Sequence, residues 1–253
     1  MRLRALVPAL GLAATLVAGC ANGGAERQPG DPVTRQDAAA LAELLHRNFV
    51  HDGADFVVTA PYGDDTVLTL TGEVDFRRRI GRAQAVTTFS NGRAADVRTL
   101  VFTDEDLWIG DVAGLPEALA AAGLPEGTVL HRAVTAGSGA TPPLVDAALA
   151  VLLNLSARTA DDPASVLGAG YTWQGQRSID SRLTSLYGLT NGRTVAVGAS
   201  DDLLTQFVTP LPGDQADVTV TLSAHGTRTL AAPDPGQTAE TTDHPDLAAA
   251  FGI

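Results

Sequence analysis

From Leu68 the stretch Leu68-Thr69-Leu70-Thr71-Gly72-Glu73-Val74-Asp75-Phe76 alternates apolar and polar side chains. Leu68, Leu70, Val74 and Phe76 share one face and Thr69, Thr71, Glu73 and Asp75 the other, the period of two that marks a half-buried antiparallel strand. Phe56 and Val58 show the same period just upstream, and turn-forming residues at 61–64, 78–81 and Asn91-Gly92 punctuate the run. Further strands are predicted over 83–89, 96–102 and 107–109, so this half reads as a meander of about five strands.

Working outward, the pattern switches to helical spacing on both sides. Upstream, Ala38, Leu41, Leu44, Leu45 and Phe49 recur behind a Thr34 N-cap and predict a helix over 34–48. Downstream, helices are predicted over 115–122, 143–155 and 163–168. The second of these has almost no polar face between Ala147 and Leu153, so it must be covered on all sides or border something apolar that is not protein. Strands resume over 171–174, 178–189, 194–198, 203–208, 217–223 and 227–231, with Asn191-Gly192 as a second hairpin signal and Val218, Val220 and Leu222 alternating against Thr219 and Thr221. Residues 237–253 are acidic and polar, then helix-like over 245–251. No βαβ alternation occurs, so the fold class is α+β: one large curled antiparallel sheet of about ten strands, a half-barrel with helices on its concave face.

The N-terminus reads as an export signal. Arg2 and Arg4 precede a short apolar run over 5–17, too short for the roughly twenty residues of a membrane span. The run ends Leu16-Val17-Ala18-Gly19-Cys20, which resembles a bacterial lipobox, so residues 1–19 are a signal peptide and Cys20 is the lipid attachment site. Residues 20–33 form a lipidated, flexible Gly- and Pro-rich tether, and 34–253 the folded domain with a polar segment near 232–244. This places the protein outside the cytoplasm, on the outer face of the cell membrane.

Cys20 is the only cysteine, which excludes an intrachain disulfide and a thiolate zinc site. Every basic residue is Arg, as in a GC-rich, actinobacterial-type genome. Loss of Arg2 and Arg4 leaves 15 arginines against 29 acids, a net charge of −14. Such a surface repels nucleic acid and anionic headgroups at long range, so any lipid is met through apolar contact.

No enzyme template is met, and no cofactor or metal is predicted. Gly137-Ser138-Gly139 lacks the spacing of a nucleophile elbow, no Walker loop is present, and the five histidines lack a partner at i+4. The acids Asp104, Glu105, Asp106 and Asp111 read as a polar hairpin turn rather than a calcium loop. Arg77, Arg78, Arg79 and Arg82 read as an exposed turn, with contact to a phosphate or headgroup as the functional alternative. Trp108 stands between pocket lining and core, and Trp173 reads as core.

The lipobox, the Asp55-Phe56-Val57-Val58 strand, the Leu70–Phe76 stretch and Leu107-Trp108-Ile109 before the mid-chain helices together resemble the LppX and LprG lipoproteins and their LolA-like relatives. Ile179-Asp180 and Val218–Ser223, ahead of a Pro-bearing tail, agree with that resemblance. It implies a half-open barrel whose concave face holds acyl chains, and a carrier or chaperone of lipid or lipoglycan across the envelope, with a transporter or other membrane protein as a possible partner. Residues 110–125 depart from the family pattern in being Ala-rich. The candidate lining or core residues are Leu68, Leu70, Val74, Phe76, Phe89, Trp108, Leu149, Leu152, Val218, Val220 and Leu222. The alternative is a signalling or accessory lipoprotein that binds a protein partner.

Overall fold

The first helix forms because its start is chemically marked. In the computed structural model, which describes residues 27–63, 65–135, 142–211 and 217–253, helix α1 spans Arg35–Val50 behind the N-cap Thr34. Asp37 N–H donates to Thr34 Oγ1 at 3.2 Å and Thr34 N–H to Asp37 Oδ2 at 2.7 Å, a reciprocal capping box. The same carboxylate accepts the Arg27 guanidinium through both oxygens, at 3.2 and 2.7 Å, and the Tyr187 hydroxyl at 2.8 Å. Burial alone would raise the Asp37 pKa, but the hydrogen bonds from Arg27, Thr34 and Tyr187 hold it down at about 2.

The strands are β1 (Gly53–Tyr62), β2 (Thr66–Asp75), β3 (Ile80–Phe89), β4 (Asp96–Phe102) and β5 (Asp106–Gly110), followed by α2 (Leu115–Ala121), β6 (Val129–Ala133), α3 (Leu144–Leu153) and α4 (Pro163–Gly168). Then come β7 (Thr172–Ile179), β8 (Arg182–Gly188), β9 (Thr194–Gly198), β10 (Leu204–Pro210), β11 (Asp217–Ser223), a 3-10 turn at Pro235–Gln237, β12 (Thr238–Glu240) and α5 (Pro245–Phe251). All described strands join one sheet in the order β12-β6-β5-β4-β3-β2-β1-β11-β10-β9-β8-β7. Two meanders are thus fused where β1 pairs with both β2 and β11. The sheet is curled and unclosed, an α+β half-barrel, with twelve strands among the described residues rather than about ten.

Four departures from the sequence reading have local causes. Strand β6 and the three-residue β12 are additional, and they pair parallel, Ala239 opposite Leu130. The predicted strand over 178–189 is two strands' worth of chain: Asp180 and Ser181, at φ 47° and 65°, make a tight turn between β7 and β8 without a glycine. The predicted strand over 227–231 does not form, because β11 is already flanked by β1 and β10 and offers no free edge. That segment instead buries Leu230 and aims Arg228 at Asp55, 2.8 Å away. Residues 30–33, read as part of the tether, pair with edge strand β7: Gly30 N–H donates to Trp173 O at 2.7 Å and Val33 N–H to Tyr171 O at 3.3 Å.

On the inner face, Phe56, Val58, Leu70, Leu100, Phe102, Val220 and Leu222 are buried in one continuous core. Phe102 meets Phe56 edge-on at 6.2 Å and 70°. The outer end of its ring closes on Gly81, where a Cβ would sit 2.1 Å from Phe102 Cζ, so the missing side chain makes room for the aromatic. Asp75, expected on the polar face, is buried and accepts the Arg78 N–H at 2.9 Å, closing the turn into β3.

The arginine cluster is an exposed turn, as its sequence suggests, with Arg79 half-buried and each side chain bonded to a neighbouring part of the chain. Arg77 bonds Asp52 at 2.5 Å and the Phe49 and Val50 carbonyls that end α1. Arg78 bonds Leu230 O, Arg79 bonds Asp104 and Leu153 O, and Arg82 bonds Glu73. Arg77 and Arg79 thus satisfy the last carbonyls of α1 and α3, Arg78 ties down the chain at Leu230, and Arg82 pairs across to β2.

Candidate functional site

Helices α1, α3 and α4 roof the concave side of β9 and β10, and the space beneath them is a cavity of 430 Å³. Leu41, Leu44 and Leu45 of α1, at i, i+3 and i+4, supply one wall, and Val166 of α4 adjoins them. Val195, Leu204 and Phe207 of the sheet supply the floor. Ala150, Val151, Asn154 and Leu155 of α3 and its C-terminus close the opposite side. Each is where local sequence puts it: in β9 and β10, Val195 stands opposite Phe207, so both point to the same face.

The cavity explains the uniformly apolar α3. Its Ala148, Leu149, Leu152 and Leu153 are buried against the rest of the core, whereas Ala150 and Val151 face the cavity. A helix coated on one side by protein and on the other by an apolar space has no use for a polar face. Its position is fixed at both ends. Near the N-terminus the buried Asp146 takes a two-pronged bond from Arg132, at 2.8 and 2.6 Å, and the Thr135 N–H at 2.7 Å. At the C-terminus Asn48 Nδ2 donates to Leu155 O at 2.6 Å. The chain that follows is strapped to α1 by Ala157 N–H to Leu45 O, 3.1 Å, and Asp161 N–H to Ala42 O, 2.9 Å.

Of the polar groups on the lining, Asn154, Asp161 and Arg193 are exposed and mark the mouth, Tyr171 is half-buried, and Thr209 is buried deeper in the wall. Burial pushes the Tyr171 phenol pKa up; the Asp161 charge adds to the rise and the Arg193 charge opposes it, so both charges reach the same hydroxyl. Among the described residues neither Asp161 nor Arg193 has an ion pair or a side-chain hydrogen bond. A second cleft, of 270 Å³, opens on the other half of the sheet between Leu68, Leu100, Leu107 and Ile109 and the start of α3 at Leu144 and Val145. Its two arginines are already paired, Arg98 with Asp96 at 2.7 Å and Arg132 with Asp146 at 2.6 Å. Helix α2 lies apart from both: Leu115 and Leu119 share a 140 Å³ cleft with Val101, Trp108 and Val129 on the opposite face of the sheet.

The residues singled out from the sequence separate into three groups. Leu70, Val74, Phe76, Leu149, Leu152, Val218, Val220 and Leu222 are at most 2 % exposed and form core beneath the helices. Leu68 lines the second cleft. Phe89 and Trp108 lie elsewhere: the Arg93 guanidinium covers Phe89 at 4.3 Å, and the Trp108 indole lies against the His131 ring at 5.1 Å. Trp173 is half-buried under Arg27, 4.8 Å from its ring. The main cavity is lined by residues that the sequence offered only as a helix face, Leu41, Leu44 and Leu45, or as part of an apolar run, Ala150 and Val151. Cys20 and Ser138 lie outside the described residues.

The acids at 104–106 form the β4–β5 turn, where Thr103 Oγ1 accepts the Glu105 and Asp106 N–H groups. Asp106 also holds His131, whose Nε2 is 2.9 Å from its carboxylate and whose Nδ1 is 2.7 Å from Glu240 of β12. Burial would lower the His131 pKa, but the hydrogen bonds to Glu240 and Asp106 and their charges raise it above 6.5. His225 is the opposite case: burial, aided by Arg182 and His51, pushes it down to about 4.

Fold and cavity together define an open half-barrel with a helix-roofed apolar site, and no described helix is long and apolar enough to cross a membrane. No family model and no curated protein sequence matches the chain. Among solved structures it is similar to LprF from Mycobacterium bovis, with 15% identity and a TM-score of 0.44 over 79% of this chain and 96% of that one. It is also similar to an uncharacterized conserved protein from Thermus thermophilus, with 9% identity and a TM-score of 0.36 over 81% of this chain and 98% of that one.

Proposed function

We propose that this protein is a lipid-anchored envelope lipoprotein that binds an acylated molecule in the cavity beneath α1, α3 and α4, and carries or chaperones it outside the cytoplasm. The 430 Å³ cavity, walled by apolar side chains such as Leu41, Leu45, Val151, Leu204 and Phe207 and bordered by the exposed charges Asp161 and Arg193, carries the reading. Such a site holds a hydrocarbon chain without any catalytic group, since each buried methylene gains about 0.8 kcal/mol over water. At that rate about ten buried methylenes correspond to micromolar retention, and selectivity along the chain is then a matter of volume. Cys20 supplies the anchor in this account, and the Gly- and Pro-rich residues after it let the acidic domain reach lipid that its charge does not attract.

Native mass spectrometry of the full chain carrying Cys20→Ser, with lipid extraction in parallel, tests the carrier reading. A co-purifying lipid, or uptake of an added fatty acid at one equivalent, is the expected result. A protein that stays ligand-free in both refutes it. The same variant should move from the membrane to the soluble fraction; retention on the membrane would refute the anchor.

A further inference from the structure

Opposite charges flank the mouth of the cavity without neutralising each other. Arg193 follows the Asn191-Gly192 hairpin turn and is fixed there by Arg193 N–H to Asn191 Oδ1, 3.3 Å, and by Leu189 N–H to Arg193 O, 2.9 Å. Asp161 is held against α1 by its backbone N–H to Ala42 O, 2.9 Å. Both border the cavity beside Tyr171, both side chains are exposed, and they do not pair with one another. Most of the other described arginines are used differently: Arg77, Arg79, Arg82, Arg98, Arg132, Arg182 and Arg228, among others, each hold a carboxylate. A separated cation and anion at the rim of an apolar site match an amphiphile that brings its own separated anion and cation.

We infer that the mouth selects an acylated molecule whose headgroup carries both a phosphate and an ammonium, the phosphate meeting Arg193 and the ammonium meeting Asp161; this rests on the carrier reading above. Two further observations favour that headgroup. The chain has a formal net charge of −12, so a purely anionic headgroup is repelled at long range whereas a zwitterionic one is not. The guanidinium is also the side chain best shaped to hold phosphate through two oxygens. The cavity, at 430 Å³, lies toward the lower end of the ~300–1,000 Å³ of small-ligand sites, which favours one acyl chain over two or three.

The test uses the full chain carrying Cys20→Ser and three probes with the same palmitoyl chain: lysophosphatidylethanolamine, lysophosphatidylglycerol and monoacylglycerol. Binding is measured by titration below micelle-forming concentrations. The ethanolamine lipid should bind about tenfold more tightly than monoacylglycerol, the combined value of two solvent-exposed ion pairs. Arg193→Gln should bring the phosphatidylglycerol probe to the monoacylglycerol level or below, weaken the ethanolamine lipid so that only its Asp161 contact remains, and leave monoacylglycerol unchanged. Asp161→Asn should remove only the advantage of ethanolamine over glycerol. Equal binding of the three probes by the parent, or an undiminished preference in Arg193→Gln, overturns the headgroup assignment while the carrier reading stands. Failure of all three to bind counts against the carrier reading itself.

Discussion

Replacing Val151 by Trp should block the cavity without unfolding the protein. Val151 is half-buried and faces the cavity rather than the packed core beneath α3, so an indole there enters open space. If it displaces about four methylenes of a bound chain, each contributing ~0.8 kcal/mol, the loss is about 3 kcal/mol. That corresponds to a Kd about a hundredfold higher. Displacement of a fluorescent fatty acid reads the affinity, and a urea titration reads the fold. The expected result is a collapse of binding with a transition midpoint close to that of the parent and an unchanged slope. Affinity within about threefold of the parent, in a variant shown to be folded, would refute the placement of the ligand.

Asp37→Ala should cost about 2–3 kcal/mol by urea unfolding, because it removes the capping box and leaves Arg27 and Tyr187 without their acceptor; a loss under about 1 kcal/mol contradicts the role given to this carboxylate. Since its folded pKa, about 2, lies below the usual 3.8, the stabilisation is present above pH 3.8 and lost as pH falls through 2, a slope that Asp37→Asn should flatten. The His131 bridge has the opposite sign: its folded pKa is raised, so its contribution is complete below pH 6.5 and declines as pH rises through the folded value. Hydrogen exchange at the Thr241 amide, which donates to His131 O, should show protection falling over that range in the parent and not in His131→Gln; identical pH dependence in the two proteins refutes the bridge. Gly81→Ala should destabilise by about 1–3 kcal/mol as the new methyl displaces the Phe102 ring, and a change under about 0.5 kcal/mol in thermal unfolding would show that the ring yields freely.

Alternation in Leu68–Phe76 and Val218–Leu222 was enough to read the sheet, because a period of two assigns faces whatever the partner strand. Asn91-Gly92 and Asn191-Gly192 marked two hairpins, but Asp180-Ser181 carries no glycine and its turn was invisible. Strand β6, Val129-Leu130-His131-Arg132-Ala133, does not alternate, and the three-residue β12 exists only because β6 offers it an edge. The absence of a strand over 227–231 is likewise set by topology, not by local preference. The site was less legible than the fold for a related reason. Alternation tells inward from outward, but whether an inward residue is core or lining depends on where the helices leave a gap. Val218 and Val220 face inward and are fully buried, while Phe207, paired with Val220, borders the cavity. The uniformly apolar run in α3 was the one local signal, since such a helix needs either cover or an apolar neighbour.

The central claim, that the space under α1, α3 and α4 holds an acyl chain, is tested most directly by photo-crosslinking a diazirine-bearing palmitic acid to the protein and mapping the adducts by peptide mass spectrometry. The account predicts adducts on Leu41–Leu45 of α1, on Ala150–Leu155 and on Phe207, all lost in Val151→Trp. Adducts confined to the Leu68–Leu107 cleft or to the outer face around Trp108 would contradict it.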